Sequence, residues 1–66
     1  MPRATDNEVQ ILGHIDLLTA VMADAARSGD GGAFLDALDE SQAAERRLTE
    51  SRDRTWAVWF AAQGAA

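Results

Sequence analysis

The 66-residue chain has no cysteine, no lysine and no tyrosine, and it has one proline and one histidine. Without cysteine there is no disulfide and no thiolate metal site, so covalent stapling is excluded as a source of stability. A single His, with no second His or Cys beside it, cannot complete a nitrogen–sulfur metal site, and no cofactor is expected. All six positive charges are Arg and they face 11 carboxylates, a net charge of -5. That balance argues against broad electrostatic capture of nucleic acid or anionic lipid and favours solubility or a basic partner. Long apolar runs are missing too. The longest, Trp56 to Ala62, is too short to span a bilayer, and Met1-Pro2-Arg3-Ala4 leads into no apolar stretch of a secretory signal. The expectation is a cytoplasmic chain with no transmembrane segment.

Large apolar side chains are also scarce. The hydrophobic fraction is 47%, but 14 of those residues are Ala, which leaves 17 larger side chains for a core. For one domain of this size, apolar burial and conformational entropy nearly cancel, and oligomerisation is the remaining ordinary route to stability.

Two helical segments separated by one glycine-rich break are legible across residues 1–66. Thr5, with Glu8 three residues later, fits a capping box in which the hydroxyl accepts from the Glu8 amide and the carboxylate reaches back to the Thr5 amide. Helix one is expected over about 6–27, ending on Arg27, with Gly29 closing it in the left-handed conformation. Residues 28–32 form the turn, and Asp30 or Gly32 caps a second helix over about 33–63, stopped by Gly64. So short a connection folds the helices back as an antiparallel hairpin.

On helix one, an apolar arc of roughly 220° includes Ile11, Leu12, Ile15, Leu17, Leu18 and Val21. One neighbour needs about half of that, so a second contact is expected on the flank carrying Leu17 and Val21. Helix two has a narrower seam of Phe34, Leu38, Ser41, Ala44, Leu48, Ser51, Thr55 and Trp59, spaced as in a coiled coil. Glu45 and Arg52 fall on or beside it; they either reach solvent or form an ion pair across an oligomer interface. A turn centred on Asp30 sets residue i opposite about 60 minus i. Trp56, Trp59 and Phe60 then project past helix one, opposite only residues 1–4, as a patch for a second copy or another protein.

Little in the chain can carry catalysis. His14 sits within the apolar arc of helix one, and Asp36, Asp39 and Glu40 complement the dipole at the start of helix two. Gly29, Gly31 and Gly32 precede a helix but lack the strand and lysine of a phosphate-binding loop. No enzyme is expected.

The arginine-rich stretch from Ala43 to Arg54 looks like the lead-in helix of some helix-turn-helix regulators, but no recognition helix follows it. In helix count and turn position the chain resembles the Rop family of plasmid RNA-binding regulators, which are dimers of helical hairpins. That resemblance implies an RNA face with cations on the first helix. Here Asp6, Glu8, Asp16, Asp24 and Arg27 sum to -3, and no functional motif matches residue by residue.

The expected fold is therefore an all-α antiparallel two-helix hairpin that dimerises into a four-helix bundle. The expected function is that of a small non-catalytic protein–protein interaction module: an adaptor, an assembly or docking protein, or a regulator. Alternatives are an acidic inhibitor or antitoxin-like factor on a basic protein, and a Rop-like RNA binder. The expected interface residues are Leu17, Val21, Trp56, Trp59 and Phe60, with Glu45 and Arg52 as a candidate interface ion pair.

Overall fold

Thr5 opens the first helix as the sequence requires. Its backbone is extended (φ -74°, ψ 163°) and its hydroxyl accepts the Glu8 N–H at 3.2 Å. In the computed structural model, which describes residues 2–64, helix α1 runs Asp6–Ser28 and helix α2 runs Gly31–Gly64. Met1, part of the segment expected opposite the aromatics, lies outside the described residues.

Gly29 takes φ 72°, the one left-handed residue described. The Asp30 N–H donates to the Ala25 carbonyl at 2.9 Å and the Gly29 N–H to the Ala26 carbonyl at 3.3 Å, which satisfies two orphan acceptors at the end of α1. Asp30 then turns at once to the second helix, and its Oδ1 accepts the Ala33 N–H at 3.0 Å. The connection is thus Gly29–Asp30 alone, shorter than the expected 28–32. Because Asp30 caps immediately, Gly31 and Gly32 enter α2 instead of preceding it.

The two helices pack as a hairpin along a seam of small side chains. Ala37, Ser41, Ala44 and Ser51 of α2 and Glu8, Leu18 and Ala25 of α1 are the buried residues, and Ala44 has no exposed surface at all. Small residues permit close approach but each removes little apolar area from water. Among the described residues Leu18 is the one side chain larger than alanine in the buried apolar core, while Ile11, Ile15, Met22, Phe34, Leu38 and Leu48 are half-buried at its edges.

The result is a rod with extents of 56 × 15 × 13 Å and a radius of gyration of 15.9 Å, where a globular domain of this length would have about 11 Å. It exposes 4813 Å² of surface, against roughly 4,100 Å² for a compact monomer of its mass.

Candidate interaction surface

Near the open end of the hairpin lies a polar cluster centred on Glu8, whose side chain is fully enclosed. Its Oε1 accepts from the Thr55 hydroxyl at 2.7 Å and the Ser51 hydroxyl at 3.2 Å. Its Oε2 receives Arg52 Nη1 at 2.9 Å. The carboxylate therefore does not return to its own helix start, and only the hydroxyl half of the anticipated capping box forms. Three α2 donors outcompete one amide.

These donors favour the ionised form, with Thr55 contributing most and Arg52 next. They hold the Glu8 pKa at about 2 despite the opposing effect of burial. Every buried side-chain polar atom described has a partner, so the cluster is closed and offers no unfilled ligand position.

Arg52 also reaches the N-terminal arm, with guanidinium nitrogens 3.5 Å from the carbonyls of Pro2 and Arg3. Its ion pair is made within the chain, to Glu8, whereas Glu45 is exposed. The sequence did contain a signal for this contact. A sum of 60 between facing residues sets Glu8 opposite Arg52, and two hydroxyls flank that position on the seam.

One turn farther along α2, Trp56, Trp59 and Phe60 form a mutual cluster. Trp56 stacks on Phe60 with centroids 5.3 Å apart, and Trp59 meets both edge-on at 5.5 and 5.1 Å. Both tryptophans are half-buried, and Phe60 is 60% exposed.

The exposed apolar residues divide between two flanks of the rod. With about 100° per residue, Leu12 and Val9 of α1 fall on one flank with Leu35, Leu38, Trp56 and Phe60 of α2. On the same flank, beside the turn, an apolar notch of about 460 Å³ is lined by Ala25, Ala26, Phe34 and Leu35 among others. Leu17 and Val21, 62% and 42% exposed, lie toward the opposite flank, so the five expected interface residues do not form one continuous patch.

That opposite flank also carries Val58, 71% exposed. It carries an open groove of about 550 Å³ lined by Asn7, Gln10, Ile11, His14, Arg47, Glu50 and Arg54. His14 is part-exposed, its Nε2 3.9 Å from Glu40. Among the described residues, no group of three metal-ligating side chains comes together.

An 18-residue stretch within α1 is long and apolar enough, by length and composition alone, to cross a membrane. The expectation of no transmembrane segment rested on uninterrupted runs, and this helix meets the length and composition criterion without one. In the hairpin it lies against α2 and keeps Asp16 and Asp24 exposed. The chain was compared with protein-family models, with curated proteins and with solved structures, and it matches none of them.

Proposed function

We propose that the protein is a small, non-catalytic interaction module that works as an oligomer of helical hairpins, most simply a homodimer forming a four-helix bundle. One observation carries this reading. Among the described residues the hairpin buries a single apolar side chain larger than alanine, Leu18, while Val9, Leu12, Leu17, Val21, Leu35, Val58 and Phe60 are all more than 40% exposed. Burying a Leu or Val side chain stabilises by roughly 1.5–3 kcal/mol, so a large part of the favourable burial this sequence can supply is still to be made. A second hairpin laid along the first supplies it and doubles the core without new sequence.

Non-catalytic action is supported by the same surface. The enclosed polar cluster is self-satisfied, and the grooves beside His14 and beside the turn lie open to solvent, so neither holds a side chain in a dry, shaped cleft against a reactant. The test is sedimentation equilibrium of the purified chain across low to high micromolar concentrations. The expected result is a mass that converges on twice 7.1 kDa. A stable, folded monomer throughout would overturn the proposal.

A further inference from the structure

We infer, on the premise of the homodimer above, that the two hairpins pair with their long axes antiparallel, so that the aromatic overhang of each copy is covered by the turn end of the other.

The first support is that overhang and turn share a flank. Leu38 and Trp56 are separated by five whole helical turns and lie on one line of α2, and Leu35 and Phe60 lie within roughly 20° of each other. This flank also holds Leu12 and the notch between Ala26 and Phe34. Its charged residues, Asp16, Arg27, Glu45, Arg52 and Asp53, are of both signs, and Arg52 is already paired with Glu8. The other flank carries the groove with Arg47, Glu50 and Arg54, a poor surface to bury.

The second support is height along the rod. At about 1.5 Å per residue, Trp56 and Phe60 lie roughly 40–45 Å from the turn, and Phe34, Leu35 and Leu38 within roughly 6–12 Å of it. Reversing one copy against another over the 56 Å length brings the two sets level. Leu12, near mid-height, then meets its own counterpart. In a parallel pair, aromatic overhang would face aromatic overhang and the turn-end notch would face its own copy.

Charge supplies the third. The turn half contains Asp16, Asp24, Asp30, Asp36, Asp39 and Glu40 against the single Arg27, a net of -5. The open half contains the other five arginines against Asp6, Glu8, Glu50 and Asp53, a net of +1, with Glu45 at the boundary. Packed helices sit about 8–10 Å apart, within the reach of charge at physiological salt. A parallel pair sets -5 beside -5, and the antiparallel pair sets -5 beside +1.

The area is sufficient as well. A face 56 Å long and 15 Å wide has a footprint of roughly 800 Å², close to what each partner contributes to a stable interface.

The absence of native cysteine makes the test direct. Leu35→Cys and Phe60→Cys chains are prepared separately, distinguished by a mass tag, mixed, and treated with a short bismaleimide. Circular dichroism confirms helicity, and Leu17→Cys on the opposite flank serves as control. The expected result is a dominant mixed product between Leu35→Cys and Phe60→Cys, little self-linking of either, self-linking of Leu12→Cys, and none for Leu17→Cys. Self-linking at both Leu35→Cys and Phe60→Cys without mixed product would overturn the antiparallel arrangement and leave the dimer standing. A dimer that links only through Leu17→Cys would overturn the choice of flank. A wild-type chain that sediments as a monomer would remove the dimer, and this inference with it.

Discussion

Glu8 is the residue whose role depends most on tertiary structure. Hydrogen bonds from Thr55 and Arg52 hold its pKa at about 2, below the ordinary 4.5. The unfolded chain therefore binds more protons than the folded one between those values, and stability rises with pH across that window. The contribution of Glu8 is complete above about pH 4.5 and is lost as pH falls toward 2. Urea unfolding of wild type and Glu8→Gln over this range isolates it from the other carboxylates. The expected outcome is a stability difference that favours wild type at pH 6 and shrinks as pH approaches 2. A difference that is flat with pH would show that the ion pair and its hydroxyl partners contribute nothing through charge.

At the scale of elements, the turn makes two glycines two residues apart behave in opposite ways. Gly29 sits at φ 72° with open space around a notional Cβ, so Gly29→Ala is expected to destabilise by about 1–2 kcal/mol through backbone conformation alone. Gly31 is helical and equally unobstructed, so Gly31→Ala is expected to stabilise by about 0.5–1 kcal/mol. Denaturant midpoints at matched protein concentration check both signs. This end of the molecule was readable from sequence because its causes are local. Thr5, Gly29 and Asp30 act on amides and carbonyls within five residues of themselves. The two-residue length of the turn was harder to read, since both Asp30 and Gly32 were candidate caps, and it is the Asp30 carboxylate that takes the Ala33 amide. The fate of the Glu8 carboxylate lay further out of reach, because local rules offer it the Thr5 amide and its real partners are 43 to 47 residues away. Likewise the angular arc of α1 showed that apolar surface was in excess, but not that Leu17 and Val21 would lie on a different flank from Trp56 and Phe60. That division depends on which way the hairpin closes.

For the whole molecule, the rod shape means that stability and association are one quantity. A chain whose apolar surface is completed by a second copy has a melting temperature that rises with protein concentration, by the mass-action term for anything that binds only the folded state. Thermal melts over a hundredfold concentration range should show a steady increase, and a concentration-independent midpoint would mean that the hairpin stands alone. The location of the Glu8 cluster has a further consequence, in the order of events. Contacts near Gly29 join residues a few positions apart, whereas Glu8 and Thr55 are 47 positions apart. Loop-closure entropy and low local contact density both place that closure last on folding and first on fraying. Amide hydrogen exchange should therefore run as a gradient, slowest around Leu18, Ala37 and Ala44 and fastest beyond Thr55. In Glu8→Gln the fast zone should advance toward the turn, and its boundary would mark how far along the rod a single buried carboxylate holds the two helices in step.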